Sequence, residues 1–147
     1  MKLLLDTNVL IDYYLSRPGF APDIRRLFAL AALGKVELWA SAKSFTDVFF
    51  VGSRAVDSAV LQEVIAKSLD VLNVCSIDGG DVRSCLEEKW PDFEDCLVAR
   101  AAEKVKADAI VTRDLGGFAR AAMPARTPTE VVGLLSPMCP GLQDIHA

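Results

Sequence analysis

Met1-Lys2-Leu3-Leu4-Leu5-Asp6-Thr7-Asn8-Val9-Leu10-Ile11-Asp12 opens the chain. The short apolar run Leu3 to Leu5 reads as a buried strand. It ends in Asp6-Thr7-Asn8, and the sequence then turns apolar again with helical spacing. A carboxylate where a strand of an α/β sheet stops lies on the edge where such folds bind ligands.

The alternation continues along the chain. Val9 to Leu15 extends a helix that stops near Pro18-Gly19. Pro22 and Asp23 suit the first turn of a second helix, with Ile24, Leu27, Phe28 and Ala31 on its apolar face and Gly34 as its stop. Val36 to Trp39 predicts the second strand. Ser41 can cap a helix carrying Phe45, Val48, Phe49 and Val51. A further helix follows Gly52-Ser53 with Val60, Leu61, Val64, Ile65 and Leu69 inward. Val71 to Cys75 predicts a third strand and Asp78 to Glu88 a helix. Pro91-Asp92 opens another helix, Ala109 to Thr112 is a fourth strand, and Pro124 to Thr127 a short fifth. Pro128 starts the last helix, through Leu135. This order predicts an α/β fold, with a mostly parallel sheet of four or five strands covered on both faces.

The length of 147 residues suits one domain. The reading places it at residues 1–137, with a C-terminal tail over 138–147. With 52% hydrophobic and 24% charged residues, a full core is available. No apolar run approaches a membrane span, and the N-terminus reads as a strand rather than a signal peptide. Cys75, Cys85, Cys96 and Cys139 form no CxxC pair, so a cytoplasmic, reduced protein is expected and a thiolate zinc site is disfavoured. His146 is the only histidine and lies one residue from the C-terminus. That argues strongly against a histidine-based triad or a histidine-rich zinc site. A net charge of −4 argues against a passive nucleic-acid-coating protein. It does not argue against a nuclease, whose site carboxylates make a chain acidic until metal ions invert the local charge.

Asp6 and Asp114 follow predicted parallel strands and should share one sheet edge. Asp47 lies near the start of the helix after strand two. Asp92, Glu94 and Asp95 lie in the first turn of the helix before strand four. Three or four carboxylates suffice for Mg²⁺ or Mn²⁺, which prefer hard oxygen ligands and retain several waters. Other roles remain open for the same residues. Asp6 or Asn8 can cap the following helix. Asp92 with Asp95 resembles a capping box. Asp114 precedes Leu115-Gly116-Gly117 and suits a turn. Asp47 sits among Phe45, Val48 and Phe49, where an unpaired carboxylate is costly. Glu94 is expected to point elsewhere on its helix, into solvent.

The ordered set of motifs resembles the PIN-domain family of metal-dependent ribonucleases, which includes the VapC-type toxins of bacterial toxin–antitoxin pairs. Leu4 to Asp12 matches the family's opening motif. Asp92 to Ala102 resembles its third, Ala107 to Asp114 its fourth, and Gly117-Phe118 the segment after it. Thr127-Pro128-Thr129-Glu130 is similar to the family's approach to its last helix. The resemblance implies a three-layer α/β/α sandwich and Mg²⁺- or Mn²⁺-dependent cleavage of RNA. It makes Asp6, Asp95 and Asp114 the metal-site acids, Asn8 a support beside Asp6, and Thr112 a neighbour of Asp114. The second family acid falls at Asp47, where many relatives carry Glu. This is a departure, and the shorter side chain calls for a bridging water to reach a metal.

Substrate RNA needs positive charge beside the acids, for which Lys43 and Arg113, and then Arg17, are the candidates. Looped or single-stranded RNA is the expected target. Phe20, Phe45, Phe49, Phe50 and Val51 are more apolar than one buried face requires, so a homodimer is expected, and the resemblance implies an antitoxin partner. Two other readings remain: a non-catalytic RNA- or partner-binding module on a worn PIN fold, and a phosphotransfer domain. The second lacks an Asp two residues after Asp6.

Overall fold

The computed structural model describes residues 1–141. His146, and the expected tail beyond residue 141, lie outside the described residues. Five parallel strands form one sheet: β1 (Lys2–Leu5), β2 (Glu37–Ser41), β3 (Leu72–Cys75), β4 (Ala109–Val111) and β5 (Ala125–Arg126), in the order β3-β2-β1-β4-β5. β1 is central, pairing Leu5 with Ala40 on one side and Val111 on the other.

Side chains alternate across a strand, so β1 feeds two cores. Leu3 and Leu5 pack with buried residues of α1 (Thr7–Tyr14), α2 (Ala21–Ala32), α3 (Ser44–Gly52), α4 (Ser58–Ser68) and α7 (Pro128–Leu135). Leu4 packs with Ile110 and with Val98, Ala101 and Ala102 of α6 (Phe93–Val105). α5 (Gly79–Glu88) joins α6 through Cys85, Cys96 and Leu97. The result is the three-layer α/β/α sandwich expected from the alternation.

Local rules set the helix ends. Gly34 takes a left-handed φ of +72° just past α2. Thr127 and Glu130 form a reciprocal capping box at α7, as do Asp78 and Asp81 at α5.

Two local expectations need correction. Ser41 ends β2 instead of capping α3, whose first turn lacks a side-chain cap. Its hydroxyl still accepts the Lys43 N–H at 3.3 Å, and the strand runs two residues past the expected end at Trp39. In α4 only Leu61 and Ile65 of the predicted inner face are buried, whereas Val60 is 49% and Val64 41% exposed. α4 is a flanking helix, and so it offers the core one narrow stripe.

Candidate active site

Parallel strands end together, so residues just past them meet on one edge. Asp6 follows β1 and Thr112 follows β4. The Thr112 hydroxyl donates to Asp6 Oδ2 at 2.8 Å, while Asp6 Oδ1 accepts the Thr7 N–H at 2.7 Å and caps α1. Cap and edge acid are therefore one side chain, with one oxygen engaged in each direction.

The loop after β4 is built around Asp114. Its N–H donates to Thr112 Oγ1 at 3.0 Å, and its Oδ1 accepts the Gly117 N–H at 3.2 Å. Asn8 Oδ1 receives the Arg113 N–H at 3.5 Å, linking α1 to this loop. At the start of α6, Asp92 caps by accepting the Asp95 N–H at 3.1 Å. Among the described residues Asp95 makes no return bond of the kind Asp81 and Glu130 make. Its carboxylate turns towards Asp114 instead. A Cβ at position 117 would lie 2.6 Å from Asp95 Oδ2 and 2.8 Å from Asp114 Oδ2. Glycine leaves that shared space open.

The electrostatics separate these acids from the structural ones. Asp12 is fully buried but meets Arg113 Nε at 2.6 Å and Arg17 Nη1 at 3.4 Å. Asp81 is buried between Lys104 at 2.7 Å and Arg100 at 2.9 Å, and the Lys104 ammonium holds its carboxyl well below the usual range. Asp6, Asp95 and Asp114 have no such cation: among the described residues no salt bridge reaches them. Burial raises the Asp6 carboxyl, opposed by its two hydrogen bonds and reinforced by the charges of Asp114 and Asp92. Asp95 is pushed up to about 7, first by burial and then by the charges of Asp92, Asp6, Asp114 and Glu94. Negative charge is concentrated here without compensation, a common property of functional sites.

Asp47 stands beside this group. Its Oδ2 accepts from Lys43 Nζ at 2.6 Å, and the same ammonium lies 3.6 Å from Glu94 Oε2. Glu94 is therefore not a purely solvated residue. Burial raises its carboxyl, and Asp47 raises it further while Lys43 opposes. Lys43 thus bridges Asp47 and Glu94, the residue before Asp95. Arg113 is turned away, its guanidinium on Asp12 and 4.3 Å from the centre of the Phe20 ring.

Among the described residues no three His, Cys, Asp or Glu side chains already form a closed metal-ligand group. The donor set nonetheless fits a hard cation that keeps its own waters. Asp6, Asp95 and Asp114 offer carboxylate oxygens, two of them around a space that a Cβ would fill, with charge that a cation would neutralise.

These features define a parallel α/β domain with an acidic site at the carboxyl edge of its sheet. A family model described as PIN domain matches residues 2–116, and the chain belongs to that family. No curated protein sequence matches it. Its fold is similar to that of a chain in the structure of VapBC2 from Rickettsia felis bound to a DNA fragment from their promoter. The TM-score is 0.63 at 20% identity, over 86% of this chain and 98% of that one. DNA-bound VapBC from Salmonella typhimurium gives 0.64 at 20% identity, over 87% and 98%. A toxin–antitoxin complex from Klebsiella pneumoniae gives 0.59 at 22%, over 86% and 97%.

Proposed function

We propose that this chain is a Mg²⁺- or Mn²⁺-dependent endoribonuclease, acting as the toxin of a type II toxin–antitoxin pair. The observation that carries this reading is the gathering of Asp6, Asp95 and Asp114 at one sheet edge with no salt bridge among the described residues, whereas the other two buried acids, Asp12 and Asp81, each have one. These three residues would hold the metal. When bound, it would activate a water for attack on the phosphodiester and stabilise the charge that develops. Thr112 fixes Asp6 through its hydroxyl, and Asn8 steadies the loop that carries Asp114. Asp47 acts from further out, by orienting Lys43 for the phosphate backbone and through a water towards the site.

The solved toxin–antitoxin complexes of similar fold support an antitoxin partner. The exposed residues Phe50 of α3 and Val60 and Val64 of α4 support a homodimer. Free cysteines, and the absence among the described residues of any helix able to cross a membrane, accord with cytoplasmic work. The engagement of Asp47 by Lys43 favours one competing reading, a non-catalytic RNA-binding module. A mixed RNA pool separates the two. Cutting with Mg²⁺ or Mn²⁺ that stops with chelator supports the nuclease. RNA that is bound but left whole under either metal supports the binding module.

Gly117→Ala should test the metal site itself. The three atoms nearest the added methyl all belong to the carboxylates of Asp95 and Asp114, so its first effect is to push those two groups apart. Mn²⁺ affinity measured by calorimetry is expected to fall at least ~10-fold, the scale seen when metal ligands lose their orientation. The melting temperature should change little. Unaltered affinity would remove Asp95 and Asp114 from the site.

A further inference from the structure

A cavity of about 250 Å³ opens beside the acids. Trp90, Pro91, Asp92, Asp95, Gly117 and Arg120 are among the residues that line it. Asp95 and Gly117 thus belong both to this cavity and to the carboxylate site. The volume lies below the ~300–1,000 Å³ usual for whole drug-sized ligands, which suits one flat ring system.

Its far wall is aromatic and cationic. Trp90 is half-buried, packed against both Ile110-side and Cys85-side clusters, so its ring is held in place. Arg120 lies 5.7 Å from the centre of that ring, within cation–π range. Its guanidinium donates to the Glu88 carbonyl at 2.8 Å and the Lys89 carbonyl at 3.2 Å, at the end of α5. Those bonds use two of the five donors of an arginine. This anchored cation lines the same cavity as Asp92 and Asp95, whose charges repel phosphate.

We propose that Trp90 and Arg120 form a base-stacking subsite, which holds one nucleobase of single-stranded RNA next to the phosphate at the acids. This rests on the nuclease reading given above. A stacked base fixes the register of a flexible strand, and Arg120 offsets acidic repulsion of the adjoining phosphate. Stacking is tolerant of base identity, so the subsite supplies grip more than sequence choice.

The test uses a full-length chain carrying Asp6→Asn, to prevent cleavage, and Trp39→Phe, which leaves Trp90 as the only tryptophan of the two. A mixed-sequence pool of short single-stranded RNA should quench Trp90 emission, and the same backbone without bases should not. Trp90→Leu should weaken RNA binding, read by anisotropy of end-labelled RNA, roughly 10-fold. In the cleaving protein the same change should raise KM while kcat is largely kept. Trp90→Phe should restore most of the affinity. RNA that binds without altering Trp90 emission overturns the subsite, as do equal affinities for Leu, Phe and Trp at position 90. If Trp90→Leu fails to fold, the emission experiment still decides. Cleavage by the wild type with silent Trp90 emission sinks the subsite alone. Quenching without cleavage under any metal sinks the nuclease reading and leaves a base-binding protein.

Discussion

Asp95→Asn is expected to abolish RNA cleavage and, in the metal-free protein, to raise the melting temperature above pH 7. The activity loss should be at least ~100-fold, the scale for removing one group that stabilises developing charge. The stability effect has the opposite sign. Asp95 ionises near 4 in the unfolded chain but only at about 7 in the fold. Between those values the folded state holds more protons, so stability falls as pH rises. Below pH 4 this penalty is absent, and above pH 7 it is complete. Asn carries no charge and escapes it. Melting curves from pH 4 to 8 in chelator should therefore converge at the acid end and separate towards the alkaline end. Mn²⁺ should stabilise the wild type more at pH 8 than at pH 5, because a ligand carboxylate must first lose its proton. Parallel curves at all pH values would show that Asp95 is not under charge stress.

Asp12→Ala should cost about 3 kcal/mol of folding stability, measured by urea unfolding. Asp12 is fully buried on α1 and holds the Arg113 guanidinium through Nε at 2.6 Å and Nη2 at 3.3 Å. Truncation leaves Arg113 and Arg17 without their carboxylate. The cost stays at the low end of the buried-pair range because both guanidinium groups keep part of their water. The effect should reach the site as well, since Arg113 directly precedes Asp114. Asp12→Ala combined with Arg113→Ala should cost less than the sum of the two single changes. An additive double mutant, or a single cost below about 1 kcal/mol, would overturn the coupling.

The element order was legible because each strand is a short apolar run bounded by turn residues. The parallel edge followed, and with it the meeting of Asp6, Thr112 and Asp114. The family motifs singled out Asp95. The partners of charged residues were not legible. Arg113 was expected to face RNA but lies on Asp12, an acid hidden in the apolar periodicity of α1. Glu94 was expected in solvent but shares Lys43 with Asp47 across two helices. Such pairings depend on how α1, α3 and α6 pack, and no local spacing records that. Gly117 matched a motif segment, but its role as the open space between two carboxylates needs coordinates. Trp90 and Arg120 lie far apart in sequence and come together only because the loop after β4 folds back onto the end of α5.

The central position of β1 also orders events during synthesis. β1 is made first, yet one of its two neighbours, β4, is made more than a hundred residues later; the Thr112–Asp6 bond alone spans 106 positions. Until then the growing chain can pair β1 with β2, and β2 with β3, but must leave the other side of β1 bare. Such long-range closure is slow relative to local helix formation. Asp6 waits on the ribosome without Thr112 or Asp114, and any chain released before β4 lacks both. The acidic edge can therefore be assembled only once nearly the whole sheet has been made.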